Sequence, residues 1–345
     1  MKFKLTMLAV AAAFSAGLTQ AEVAIDGSFD GGVSYNKLGD AKAGRVEYDA
    51  TIGVSGSDKL DAGGNVIWRL EQGVTNYSNG VERNWGGKEA YIGLTDEKLG
   101  TVRFGKMKTP FYQTLDDRYG DTGAKFLISE YGRGENFRPS NYIRYDMPTF
   151  GGFSASGGYD ASAGNSGHYG FDLAAHYKLA GFFADAAYQK RKGVIGTGDA
   201  DVGNVAQYDG YNWFALAGYN FDNGFGVNGG YKRSEFTPAG LSKVDQHLAF
   251  GQGSYKSGKQ GVYLTYMQLG NLAGASDTGA KAVAARYDYS LSKRTLGYVE
   301  GRYVKNDNNA TYTALDSTLG DSNNVYTGNA GEKAYRLTVG MKTYF

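Results

Sequence analysis

Residues 333–345 read Lys333-Ala334-Tyr335-Arg336-Leu337-Thr338-Val339-Gly340-Met341-Lys342-Thr343-Tyr344-Phe345, and this stretch decides the fold class. Tyr335, Leu337, Val339, Met341 and Phe345 fall on odd numbers, opposed by Arg336, Thr338, Lys342 and Tyr344 on even ones. A repeat of two is that of a β-strand with one apolar and one wet face, because successive side chains point to opposite sides of the pleat. An amphipathic helix would repeat near 3.6. The run is longer than the usual strand of about 5–6 residues and matches the roughly 9–11 that a tilted strand needs to cross a bilayer.

The same alternation extends back along the chain. Val23, Ile25, Phe29, Val33 and Tyr35 oppose Asp26, Ser28, Asp30 and Ser34. Val46, Tyr48, Ala50, Ile52 and Val54 oppose Glu47, Asp49, Thr51 and Ser55. Tyr169, Phe171, Leu173, Ala175, Tyr177 and Leu179 oppose Asp172, His176 and Lys178. The pattern predicts sixteen strands over 23–36, 44–57, 63–77, 84–95, 100–107, 138–147, 150–160, 168–179, 181–191, 209–221, 224–236, 243–256, 260–270, 278–290, 293–306 and 333–345. Tight connections, such as Ser57-Asp58-Lys59-Leu60-Asp61, Asp222-Asn223 and Leu291-Ser292, alternate with long ones such as 192–208 and 307–332. Short turns on one side and long loops on the other are the rhythm of an up-and-down membrane barrel. Hydrocarbon tolerates no unpaired backbone N–H or C=O, so a spanning sheet has to close on itself. The expected fold is all-β: a 16-stranded antiparallel transmembrane β-barrel. Tyr219-Asn220-Phe221, Tyr287 with Tyr289, and Tyr344-Phe345 place aromatic rings near strand ends, where a lipid–water boundary holds them.

Composition agrees. The chain has 345 residues with 53 Gly, 4 Pro and no Cys. Gly is about 15%, roughly twice ordinary usage, and it permits the coiling that closure demands. Few Pro leave the hydrogen-bond ladders unbroken. Without Cys there is no disulfide scaffold, thiolate metal site or Cys nucleophile. The formal net charge of +1 gives no surplus to neutralise phosphates, so nucleic acid is not an expected partner. Mean hydropathy is −0.43, too polar for a helical membrane bundle but suited to a wall with one wet face.

Met1 to Ala21 reads as a secretory signal: Lys2 and Lys4, an apolar stretch from Leu5 to Leu18, then Thr19-Gln20-Ala21 with small residues at −3 and −1. Its removal shifts the formal charge to −1 and leaves 22–345 as one barrel domain. With an even strand count, both ends return to the short-turn, periplasmic side.

Residues 108–137 lie between two predicted strands and are too long to be a plain connection. They contain Lys108-Thr109-Pro110-Phe111-Tyr112, then Asp116-Asp117-Arg118, and later Glu130, Arg133 and Glu135. Gly105-Lys106 leads into them. Phe137-Arg138-Pro139-Ser140-Asn141-Tyr142-Ile143-Arg144-Tyr145-Asp146-Met147-Pro148 and Phe150-Gly151-Gly152-Phe153 follow. Together with Tyr91-Ile92-Gly93-Leu94, with Tyr289-Ser290-Leu291-Ser292-Lys293-Arg294-Thr295 and Tyr298, and with the final Phe345, the order and spacing resemble the general porins of Gram-negative outer membranes along the whole chain.

The resemblance implies an outer-membrane homotrimer whose third loop, here 108–137, folds inward and narrows each channel. It implies a transverse field between acids on the loop and bases on the wall, which filters small hydrophilic solutes by size and charge. Arg138 matches the wall arginine after the loop, and Lys106 stands where the family usually has Gly-Arg. Arg103 and Arg144 are further wall candidates. Asp116, Asp117, Asp121 and Glu130 are candidates for the acidic side. Thr51 stands where the family often has an arginine, which shortens the basic ladder and argues against strong anion preference; loop acids and wall bases that roughly balance imply weak charge preference. The resemblance further implies contact with outer-membrane lipid and lipopolysaccharide, and reading of the terminal strand at Phe345 by the outer-membrane assembly machinery.

No cofactor or metal is expected. His168, His176 and His247 do not fall at metal-ligand spacing. Asp199-Ala200-Asp201 and Asn306-Asp307-Asn308-Asn309 offer oxygens for Ca²⁺ but complete no EF-hand loop. A channel selective for sugars or organic acids is the alternative function. A barrel enzyme would need His converging with a nucleophile or carboxylate, and the scattered His make an enzyme the remotest reading.

Overall fold

The computed structural model describes residues 22–75, 85–120, 122–123, 138–161, 169–194, 208–238, 243–312 and 329–345. The alternating runs form strands β1 (Glu22–Leu38), β2 (Ala41–Lys59), β3 (Asn65–Thr75), β4 (Glu89–Asp96), β5 (Gly100–Lys106), β6 (Tyr142–Asp146), β7 (Phe153–Asp160) and β8 (Tyr169–Leu179). They continue as β9 (Phe182–Val194), β10 (Tyr208–Asn220), β11 (Phe225–Pro238), β12 (Val244–Ser257), β13 (Gln260–Leu269), β14 (Ala280–Ser290), β15 (Thr295–Asn306) and β16 (Lys333–Tyr344). Helix α1 (Pro110–Tyr119) lies between β5 and β6.

Each strand pairs antiparallel with its neighbours in sequence, and β1 pairs with β16, so the sheet is a closed barrel. The closing register runs from Ser28 opposite Tyr344 to Leu38 opposite Ala334. Phe345 completes the seam: its N–H donates to the Gly27 carbonyl and the Gly27 N–H to its carbonyl, each at 3.1 Å.

The distribution of side chains is inverted relative to a water-soluble protein. Val46 is 72% exposed and Val339 54%, while Arg191 and Lys232 are each 1% exposed. Apolar side chains on the outer row meet hydrocarbon; charged ones on the inner row meet each other and water.

The expected strand boundaries hold within three residues except at 84–95, where β4 begins only at Glu89, and at 138–147, where β6 keeps only Tyr142–Asp146. Pro139 offers no N–H to a ladder, and Pro148 ends the strand soon after. The turn between β2 and β3 also lies later than the sequence suggests. β2 runs on to Lys59, and the chain reverses over Leu60–Gly64, where Gly63 and Gly64 take φ of +94° and +75°. The predicted leader at 1–21 lies outside the described residues.

Candidate functional site

Helix α1 begins where the sequence supplies a start signal. Thr109 is the N-cap, its Oγ1 accepting from the Tyr112 N–H at 3.2 Å, and Pro110 occupies the first turn, where a missing N–H is harmless. The Gly120 N–H closes the last turn on the Asp116 carbonyl at 2.7 Å. Phe111, Leu115 and Tyr119 recur every fourth residue and form one buried apolar stripe.

That stripe packs on the inner row of the wall. The Phe111 ring meets Phe214 of β10 edge-on at 4.9 Å, and Tyr119 meets Phe250 of β12 edge-on at 6.0 Å. The Tyr119 hydroxyl donates to Asn228 Oδ1 of β11 at 2.6 Å. Burial holds this phenol above the ordinary tyrosine range. Beyond the helix, the Gly123 N–H donates to Glu300 Oε2 of β15 at 2.7 Å. The described part of the segment therefore leaves the wall at β5 and touches inner-row groups as far round as β15.

The predicted basic residues separate into three groups. Arg103 and Arg144 stand directly opposite each other on β5 and β6 and share Asp146, at 2.5 and 2.6 Å. Arg144 also donates to the Lys108 carbonyl at 2.7 Å, which ties the root of the segment to the wall. Arg138 lies over the Tyr112 ring at 4.9 Å, beside the start of α1. Lys106 stands opposite Ala90 at the end of β5, immediately after Gly105, whose φ of +129° interrupts the alternation that puts Arg103 inward.

Of the predicted acids, Asp116 is held by Lys108 Nζ at 2.6 Å, while Asp117 is exposed and accepts from Gln113 Nε2 at 3.3 Å. Asp121 and Glu130 lie outside the described residues, as do His168, Asp199 and Asp201. Asn306 uses its amide to join the backbones of Tyr312 and Glu332.

Two arrangements escape a reading by single strands. Arg118, on the helix, donates to Asp185 Oδ2 of β9 at 2.7 Å and lies over the Phe183 ring at 3.9 Å. Here the helix carries the base and the wall the acid, the reverse of the expected polarity. His176 Nδ1 lies 2.9 Å from the same Asp185. Ser154 stands opposite His176 in register. The second arrangement concerns Thr51. Lys88, from the connection before β4, brings Nζ to Thr51 Oγ1 at 2.6 Å and to Asp49 at 4.0 Å. A cation thus reaches the Thr51 position from the connection that precedes β4.

Further inner-row charges are also matched. Arg69 binds Asp26 and Glu71 at 2.7 Å each. Arg286 and Arg302 flank Glu300 at 3.5 and 2.6 Å. Arg336 of β16 pairs with Glu47 of β2 across β1. Such pairs cancel much of each other's field over a distance.

Comparison with known proteins agrees with this architecture. A family model described as Gram-negative porin matches residues 7–309. The major outer membrane protein P.IB of Neisseria sicca is 27% identical over 289 residues, covering 75% of this chain and 79% of that protein. The solved anion-selective porin from Comamonas acidovorans superposes with a TM-score of 0.75 at 23% identity, over 94% of this chain and 100% of that one. The trimer form of OmpT, an outer membrane protein of Vibrio cholerae, gives a TM-score of 0.64 at 16% identity, over 94% and 99%.

Proposed function

Because the chain belongs to the Gram-negative porin family and forms an outer-membrane channel for passive diffusion of small solutes, we propose that α1 sets the width of that channel and that paired inner charges leave it weakly selective. The observation that carries this is the seating of the Phe111–Leu115–Tyr119 stripe on inner-row side chains. A ten-residue helix laid against one side of the lumen removes cross-section that water would otherwise fill.

In this reading Asp117 supplies the acidic side of the narrow region, with Arg138 and Lys88 on the basic side. Asp116 is a weaker contributor because Lys108 neutralises it. Arg103 and Arg144 position the segment through Asp146 and the Lys108 carbonyl. Asp121 and Glu130 keep their place as candidate acids. Three barrels associate, as in the trimer form of OmpT, and the chain acts as a channel rather than a catalyst. Phe345 carries the assembly signal, seated at the seam against Gly27.

Swelling of liposomes that contain the protein tests this. Neutral sugars of rising mass should enter at rates that fall smoothly with size. Absence of swelling would overturn the reading. Current block by a single sugar or organic acid at micromolar concentration would support the substrate-selective alternative instead.

A further inference from the structure

Thr51 carries no charge, yet the Lys88 ammonium reaches it by a route that crosses a strand. The backbone of Lys88 lies beside β3, on the side away from β2. Its N–H donates to the Glu71 carbonyl of β3 at 3.0 Å, after a turn in which Gly86 takes a φ of +77°. Its Nζ donates to Thr51 Oγ1 of β2 at 2.6 Å. The side chain therefore lies across β3. The residue beneath it is Gly73, which stands directly opposite Thr51 in the register of β2 with β3. A Cβ built on Gly73 would have Lys88 Cε at 2.6 Å, Cδ at 3.1 Å and Nζ at 3.2 Å as its three nearest neighbours.

The same arrangement recurs on the inner wall. Arg69 of β3 crosses β2 to bind Asp26 of β1 at 2.7 Å, and it passes Gly53, which stands directly opposite Asp26. Tyr142 of β6 crosses β7 to donate to Asp172 of β8 at 2.7 Å, passing Gly158, which stands directly opposite Asp172. Tyr298 of β15 crosses β16 to donate to Asp30 of β1 at 2.7 Å, passing Gly340, its own partner in register. A Cβ on Gly53 would meet Arg69 Nη2 at 2.5 Å, and one on Gly340 the Tyr298 hydroxyl at 2.5 Å. One on Gly158 would run into the Tyr142 hydroxyl.

Adjacent strands lie about 4.8 Å apart, so an acceptor two strands away is about 10 Å distant. A side chain reaches that far by lying flat on the sheet, where the side chains of the intervening strand stand up in its path. Glycine has no Cβ and leaves the path open. Gly301 of β15 differs: nothing lies within 4 Å of a Cβ built there.

We propose that Gly73 is a positioning residue for ion selectivity: the slot it leaves in β3 sets where the Lys88 ammonium stands in the lumen, a role that rests on Lys88 being a base of the narrow region. The Thr51 hydroxyl marks the end of the path, Asp49 at 4.0 Å from Nζ adds attraction, and Gly73 keeps the path clear. With a side chain at 73 the ammonium is held back on the β4 side of β3, away from Thr51 and Asp49. The charge at position 51 is thus supplied by a pair, a lysine before β4 and a glycine on the strand between.

Reversal potentials of the full-length protein in planar bilayers, under a potassium chloride gradient at low ionic strength where screening is weak, test this. Lys88→Gln should move the potential toward cation preference. Gly73→Ala, with Lys88 intact, should move it the same way by most of that amount, and adding Lys88→Gln to it should move it little further. Gly301→Ala, the same change where no side chain passes, should leave it unchanged. A shift with Lys88→Gln but none with Gly73→Ala would overturn the role of Gly73 while keeping that of Lys88, and so would full additivity of the two. No shift with Lys88→Gln would remove Lys88 from the narrow region, and the role of Gly73 with it. If Gly73→Ala does not fold, Lys88→Ala in the same chain should restore the folded barrel, because the atoms in conflict are those of Lys88. Failure to restore it would also overturn the proposal.

Discussion

Arg144 illustrates how a single inner residue does two things at once. Its guanidinium is almost fully buried, pairs with Asp146 and holds the Lys108 carbonyl. Arg144→Met should cost about 2 kcal/mol in thermal or denaturant unfolding. That is less than a wholly orphaned partner would cost, because Arg103 still pairs with Asp146. Single-channel traces of the variant should also become noisier as the root of the segment loosens. Lys88→Gln removes the cation at Thr51 and should move the reversal potential in a salt gradient toward cation preference; an unmoved potential would place Lys88 outside the narrow region. At this scale the sequence reveals which face a residue takes but not whom it meets. Parity within β5 turns Arg103 inward, while Gly105 at a φ of +129° interrupts it just before Lys106. The Lys88–Thr51 and Arg118–Asp185 contacts join residues far apart in sequence, and no local pattern announces them.

Helix α1 is an element that alternation misses, because its period differs from that of everything around it. Its signals are local: Thr109-Pro110 at the start and apolar residues at 111, 115 and 119. Spacing reveals that residues 108–137 do something other than connect, while the seat of the helix depends on wall residues contributed by β9 to β12. Phe111→Ala should loosen that seat, with a cost of about 3–5 kcal/mol if the cavity beside Phe214 stays open. The expected result is a barrel that still forms, with a larger and more fluctuating conductance and faster proteolytic cleavage near 110–120. Unchanged conductance would mean that α1 does not limit the pore.

For the whole molecule, strand number, closure and face assignment are legible because one rule, apolar out and polar in, repeats around the wall. Strand ends are less so, since they depend on where proline or the loss of a partner ends a ladder, as at Pro139 before β6. Closure itself depends on fit at the seam. A Cβ built on Gly27 would run into the Thr51 carbonyl oxygen and come within 2.5 Å of Phe345 Cζ, whereas one on Gly31 meets nothing nearer than Phe29 Cε1 at 3.4 Å. Gly27→Val should therefore lower the yield of heat-resistant folded barrel on electrophoresis, and Gly31→Ala should leave it nearly unchanged.

What the closed barrel conducts depends on how the charges of its inner row are matched. The described inner-row arginines Arg69, Arg103, Arg144, Arg286, Arg302 and Arg336 each have an acid at close range, as does Arg118 on the helix. Little uncancelled field remains to favour one ion. A planar-bilayer recording of the wild-type protein under a tenfold potassium chloride gradient tests this directly. Stepwise conductance that scales with salt, with a reversal potential close to zero, is the expected result. Absence of steps, or a reversal potential near the Nernst value for one ion, would contradict it.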